Sequence, residues 1–250
     1  MPKFHIATGL LAAVLAFSAA SLGATACAED LTVATDSSFV PFEFKDGDTY
    51  IGFDMDLLAI LAKDAGVTYK IQTMDFNGIV PAVQTKQVDA AIAGIVITDE
   101  RKKVVDFSDG YYDSGFLLLV RADSDIKGTQ DLAGKVMALK SGGAPVEWSK
   151  TNLPDTEVRQ FPTLENAYLE LQTGRIDAVM GDTPTILYYV KTAGAGKVKA
   201  VGEQILAAPY GIAFPKGSPL VEKFNAALKR AKDDGEYAKI YRKWFDADPK

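Results

Sequence analysis

Val83-Gln84-Thr85-Lys86-Gln87-Val88-Asp89-Ala90-Ala91-Ile92 and Leu171-Gln172-Thr173-Gly174-Arg175-Ile176-Asp177-Ala178-Val179-Met180 are two versions of one pattern, far apart in the chain. Each reads as the end of a helix, a polar turn and a buried strand of small and branched residues. The strands run into Ala93-Gly94 and Gly181-Asp182. In open α/β sheets small ligands sit just beyond the carboxyl ends of strands. Two αβ units of the same build therefore predict a two-lobed α/β protein that grips a ligand between its halves. The echo also has a purely architectural reading, because αβ units look alike wherever the same packing rules apply.

Working outward, Leu31 to Ala34 reads as a first strand, followed by a helix from Asp54, as its cap, through Lys63 with Met55, Leu58, Ala59 and Ala62 at helical spacing and Gly66 as its stop. Thr68 to Met74 alternates as a strand, Asn77-Gly78 opens a helix to Lys86, and Val88 to Ile92 reads as a buried strand. This βαβαβ order predicts parallel pairing with right-handed crossovers. After the apolar run Phe116 to Val120 comes a second set, with strands at Val136–Leu139, Glu157–Phe161 and Ala178–Met180. Its helices are expected at Pro145–Lys150, Thr163–Gln172 and Thr183–Thr192. A strand at Gly211–Phe214, a helix opened by Ser218-Pro219 and a last helix carrying Tyr237, Ile240, Tyr241 and Trp244 complete the chain. Without a Ser/Pro-rich linker, the lobes must be joined by short strand-like crossings, for which Tyr111–Gly115 and Leu206–Tyr210 are the candidates.

The N-terminus carries Lys3, an apolar run from Ile6 to Phe17 and a small-residue stretch ending Ala26-Cys27-Ala28-Glu29. This is the layout of a secretory signal peptide over residues 1–28. The run has about 12 residues where a membrane-spanning helix needs roughly 20. Cleavage is expected after Ala28 or Ala26. Cys27 offers a second route, acylation as a lipoprotein, although Ala24 stands where a lipobox prefers leucine.

Charge and composition narrow the function further. The chain has 27 Lys+Arg against 33 Asp+Glu, a net charge of −6, and removal of Lys3 makes it one unit more negative. An acidic balance without a basic patch argues against nucleic acid and anionic membrane as partners. Loss of residues 1–28 also removes His5 and Cys27, the one histidine and the one cysteine. A Ser-His-Asp or Cys-His nucleophilic site and an ordinary His/Cys metal site are thereby excluded, and no cofactor is expected. The remaining length at 48% hydrophobic composition is enough for one large core or two smaller ones.

At Asp36, Pro41-Phe42-Glu43-Phe44, Gly52-Phe53-Asp54-Met55-Asp56, Met74-Asp75-Phe76-Asn77-Gly78, Thr98-Asp99-Glu100-Arg101 and Asp106-Phe107-Ser108, the chain resembles the polar amino-acid-binding proteins of bacterial ABC importers. The likeness extends through Gln160-Phe161-Pro162, Asp182-Thr183-Pro184 and Tyr241-Arg242-Lys243-Trp244-Phe245, and is strongest to the glutamine-binding members. The resemblance implies the type II periplasmic binding protein-like fold with two hinge crossings. One lobe would hold residues 31–110 plus 211–250 and the other 116–205, with hinges at 111–115 and 206–210. It further implies a monomer that passes its amino acid to an ABC importer permease.

The resemblance also implies roles at particular residues. Arg101 would clamp the ligand's α-carboxylate through parallel charge-assisted hydrogen bonds that a lysine cannot reproduce, with backbone N–H groups at Val96 and Ala144 sharing it. The plain alternative is a solvated arginine beside Glu100, Lys102 and Lys103. Asp182 would take the α-ammonium, helped by the Gly94 carbonyl, or else simply cap a helix. Asp36 and Lys140 would read the far end of the side chain, or else form an interlobe salt bridge. Phe39 and Phe76 would sandwich the aliphatic stem, although lone phenylalanines are commonly core residues. Four positions depart from the pattern: Val96 replaces a hydroxyl residue, Gly143 a threonine, Ala144 a glycine and Gly181 a histidine. Both charges of the amino-acid clamp survive, so an amino acid is expected and glutamine is the favoured one. A reading of another class is a periplasmic cyclohexadienyl-type dehydratase on the same fold, with Asp36, Glu147 or Lys140 as acid or base.

Overall fold

The computed structural model describes Met1, residues 29–36 and residues 38–249. The expected signal peptide and Cys27 lie outside the described residues. In chain order the first half contains β1 (Glu29–Thr35), β2 (Ser38–Phe39), β3 (Glu43–Asp46), β4 (Thr49–Ile51), α1 (Phe53–Ala65), β5 (Val67–Thr73), α2 (Phe76–Gln84), β6 (Ala90–Ala91), α3 (Asp99–Lys102) and β7 (Val105–Phe107). The second half contains β8 (Tyr112–Arg121), β9 (Val136–Lys140), α4 (Pro145–Asn152), β10 (Glu157–Phe161), α5 (Leu164–Gln172), β11 (Ala178–Asp182), α6 (Thr183–Lys191) and β12 (Val198–Tyr210). The chain then returns to the first half with β13 (Ala213–Pro215), α7 (Leu220–Asp233) and α8 (Glu236–Phe245).

Two five-stranded sheets result, in the orders β5-β1-β6-β13-β7 and β10-β9-β11-β8-β12. In each, three parallel strands are followed by an antiparallel fourth. The echoed segments supply the middle strand of each sheet. Their shared aspartate explains the echo: Asp89 accepts from Thr32 N–H at 2.8 Å and donates its own N–H to Thr32 O at 2.9 Å. Asp177 does the same with Val136, at 2.9 and 2.8 Å. The architectural reading of the echo is therefore correct, and the equivalent strand ends it creates are what position the site.

The α1 helix shows why these segments hold. Leu57, Leu58 and Leu61 are fully buried, each contributing about 1.5–3 kcal/mol by leaving water, and Gly66 ends the helix in the left-handed conformation. Leu61→Ala would leave a cavity costing about 2–5 kcal/mol. The apolar side of α7, with Phe224, Ala227 and Leu228, is buried in the same core.

Several expectations need correction. Asp54 does not cap α1: the cap position is Gly52, and Asp54 is a fully buried side chain in the first turn. The strand expected over Val88–Ile92 is regular only at Ala90–Ala91, and the one expected at Gly211–Phe214 runs from Ala213 to Pro215. The small β2-β3-β4 sheet, β7 and most of the long β12 were not anticipated. The segments expected as strand-like crossings, Tyr111–Gly115 and Leu206–Tyr210, are strand in the structure from Tyr112 onward, at the start of β8 and the end of β12. These strands pair with each other at Ala208–Ser114, Pro209–Asp113 and Tyr210–Tyr112.

Candidate functional site

Four strand ends meet at one place. Asp36 follows β1, Gly94 lies just beyond β6, Lys140 closes β9 and Asp182 closes β11. Around them is a narrow cavity of about 20 Å³, lined by Phe39, Phe76, Gly94, Val96, Arg101, Lys140, Ala144 and Asp182 among others. Asp36, the ninth expected residue, is 1% exposed and holds Lys140, itself 7% exposed, in an ion pair joining the two halves. Among the departures, Gly143 and Gly181 also line the cavity.

Arg101 is set by α3. Thr98 caps that short helix by accepting from the Arg101 N–H at 3.2 Å. The guanidinium then donates to Val96 O at 2.8 Å and across to Gly142 O of the other half at 3.0 Å. It is thus no freely solvated arginine. Burial draws its pKa down to about 10 against the opposing charge of Asp182, so it remains a cation at neutral pH. Gly142 has φ of 74°, and a Cβ there would lie 2.8 Å from Asn77 Cα. The two halves are this close beside Arg101.

Asp182 occupies the cap position of α6 without making a side-chain cap. Its carboxylate instead accepts from the Tyr210 hydroxyl at 2.6 Å, and Ser114 Oγ donates to that hydroxyl at 3.0 Å. Burial pushes Asp182 up to about 6, opposed by the Tyr210 hydrogen bond and by the charges of Lys140 and Arg101. A buried carboxylate beside a cavity, held by a neutral donor, keeps capacity for a cationic partner. Gly94 has φ of 54°, and a Cβ would fall 2.4 Å from the Phe39 ring. Only glycine fits that close approach.

The far end is an aromatic cage. Lys140 Nζ stands 4.4 Å from the Phe39 ring centroid and 4.9 Å from that of Phe76, both within cation–π range. The Arg101 guanidinium lies 5.5 Å from the Phe76 ring. Both the salt bridge and the aromatic faces expected from sequence are therefore present in one cluster. Phe116, Pro145, Leu164 and Met180 also line the cavity. Sequence reasoning missed them because apolar residues at strand and helix ends look like ordinary core. Tyr210 was missed as a site residue; its place in the return crossing was the one available signal.

Glu147, an acid/base candidate of the dehydratase reading, is on the exposed side of α4, 2.6 Å from Lys150, and is not among the cavity-lining residues. Among the described residues there is no group of His, Cys, Asp and Glu able to hold a metal ion, and no helix long and apolar enough to cross a membrane. The arrangement sets a guanidinium, a carboxylate and an ion pair between two rings around one cavity.

Residues 31–247 match the model of the bacterial extracellular solute-binding proteins, family 3. The chain belongs to this family. Its relatives include the arginine-binding extracellular protein ArtP of Bacillus subtilis, 35% identical over 96% of this chain and 95% of that protein. The ABC transporter glutamine-binding protein GlnH of the same organism is 37% identical over 79% of this chain and 74% of its own. An ancestral arginine-binding protein bound to glutamine superposes with a TM-score of 0.83 at 42% identity, covering 88% of this chain and all of that one. These relatives are binding proteins, not enzymes, and the family 3 member described here shares their type II two-lobe α/β fold.

Proposed function

We propose that this chain is a periplasmic binding protein that captures a polar L-amino acid, glutamine being favoured, and delivers it as a monomer to an ABC importer permease. Arg101, with the Val96 and Ala144 N–H groups, takes the α-carboxylate. Asp182 and the Gly94 carbonyl take the α-ammonium. The side chain passes between Phe39 and Phe76 to Asp36 and Lys140, which accept from and donate to a carboxamide. Residues 31–110 plus 211–250 and residues 116–205 are the two lobes, and the paired strands at 111–115 and 206–210 are the hinge by which they close.

The observation that carries the preference for glutamine is the position of Lys140. Its ammonium already sits on both rings and on Asp36, the place and counter-ion that a ligand guanidinium would use. Any side chain entering between the rings moves this ammonium aside; an arginine would then lie against a like charge, whereas a neutral amide can share the pair. A binding role without catalysis is supported by relatives that are themselves binding proteins. Calorimetry of refolded, ligand-free protein against glutamine, glutamate, asparagine, arginine, lysine and histidine tests the proposal. Glutamine is expected to bind most tightly. Arginine binding more tightly than glutamine would overturn the ligand assignment, and no binding by any amino acid would overturn the function.

A further inference from the structure

Behind the cavity are two carboxyl side chains that the binding scheme does not use. Glu43 opens β3 and Asp54 lies in the first turn of α1; both are 0% exposed. Asp54 Oδ2 accepts from Gly94 N–H at 2.9 Å and from the Tyr111 hydroxyl at 2.8 Å. Its Oδ1 and both oxygens of Glu43 have no hydrogen-bond partner among the described residues, and Asp54 N–H donates to the carbonyl of Phe42, next to Glu43, at 2.9 Å, which sets the two residues side by side with the charge of Asp54 acting on Glu43. Two fully buried neighbouring carboxylates, without a cation between them, resist both being ionised. One proton between them resolves the conflict, because a protonated Glu43 supplies the donor that Asp54 lacks.

The groups around the pair are few. Asp36 beyond β1 adds negative charge and Lys140 at the end of β9 opposes it. Tyr111, before β8, donates to Asp54. Tyr237 of α8 donates to the Tyr111 carbonyl at 2.5 Å, and Tyr210 O at the end of β12 accepts from Tyr111 N–H at 2.9 Å. The pair thus touches, through Asp54 alone, both the cavity-lining Gly94 and the residue where the chain enters the second half.

We propose that Glu43 and Asp54 share a single proton and act together as positioning residues, the singly charged pair locking Gly94 in its left-handed conformation and anchoring Tyr111 at the crossing. Gly94 then presents its carbonyl to the ligand's ammonium; this last step rests on the amino-acid-binding role proposed above, whereas the shared proton does not. Burial pushes Glu43 well above the ordinary carboxylate range, with Asp54 and Asp36 adding to the effect. The folded chain therefore holds this proton more tightly than the unfolded one. The stability it contributes is complete below the unfolded value, about 4.3, and is lost as pH rises through the folded one.

Infrared spectroscopy of ligand-free protein at pH 8, where Asp182 is ionised, reads the proton directly. A carboxylic-acid C=O band is expected in the wild type and should be absent from Glu43→Gln, whose amide still donates to Asp54. The melting temperature of the wild type should fall from pH 5 to pH 9 more steeply than that of Glu43→Gln. For glutamine binding, Glu43→Ala should weaken affinity at least tenfold, and Glu43→Gln should recover most of that loss, which a merely space-filling role would not require. A wild type with no acid band at pH 8 overturns the shared proton. An acid band together with equal affinities for wild type and Glu43→Ala overturns the positioning role. If no amino acid binds even the wild type, the functional reading fails, and the infrared and melting results still decide the proton.

Discussion

Acidification from pH 8 to pH 5 should weaken amino-acid binding about tenfold through Asp182. The carboxyl stands at about 6 in the ligand-free protein because burial outweighs the Tyr210 hydroxyl and the charges of Lys140 and Arg101. Only its ionised form attracts an ammonium, so proton and ligand compete. Above pH 7 nearly every molecule is competent; one unit below the pKa roughly one in eleven is, and the apparent affinity falls by that fraction, about 1.4 kcal/mol. Tyr210→Phe sharpens the test. It deletes the 2.6 Å hydrogen bond to the carboxylate, a charge-assisted contact contributing about 1.5–3 kcal/mol, which moves the midpoint up by about one to two units. Isothermal calorimetry across the pH range, in buffers of different ionisation enthalpy, would show the proton released from Asp182 when ligand binds below its pKa. Asp182→Asn should bind weakly with a flattened profile. An affinity constant from pH 8 to pH 5, or a midpoint unmoved by Tyr210→Phe, would refute the assignment of Asp182 to the ammonium.

Four further outcomes can be checked on the same preparations. Arg101→Ala should cost about 2–5 kcal/mol of affinity by leaving the ligand carboxylate without its buried partner, and unchanged calorimetric binding would exclude the clamp. Lys140→Met should move the glutamine-to-arginine preference toward arginine by at least tenfold, since two unit charges about 4 Å apart repel by about 4 kcal/mol at an effective dielectric near 20; an unaltered ratio means the cage does not set specificity. Val96→Thr should tighten glutamine binding by at most about 1.5–3 kcal/mol if a hydroxyl can accept from the ammonium, and clear weakening means Val96 faces another part of the ligand. Saturating ligand should reduce the radius of gyration in solution scattering, because it favours the closed arrangement; superimposable profiles would count against hinge closure.

What the sequence determined by itself was periodic or chemically specific. The αβ echo placed Asp89 and Asp177 at equivalent turns, and Thr163 and Gly66 marked helix ends. These signals are local, because caps, turns and strand alternation depend on neighbours in the chain. The tertiary structure decided the rest. Asp54 looks like a helix cap to any reading of its neighbours, and becomes a buried partner of Gly94 and Tyr111 only when α1, the turn beyond β6 and the start of β8 converge. Lys140 reads as a donor for a ligand, yet it fills an aromatic cage whose walls come from residues 39 and 76 of the other half. Tyr210 gains its role from an antiparallel pairing that brings residues separated by 28 positions within a hydrogen bond. Whether a charged side chain is solvated, paired or left with capacity for a ligand depends on what the fold packs around it, and no spacing along the chain encodes that environment.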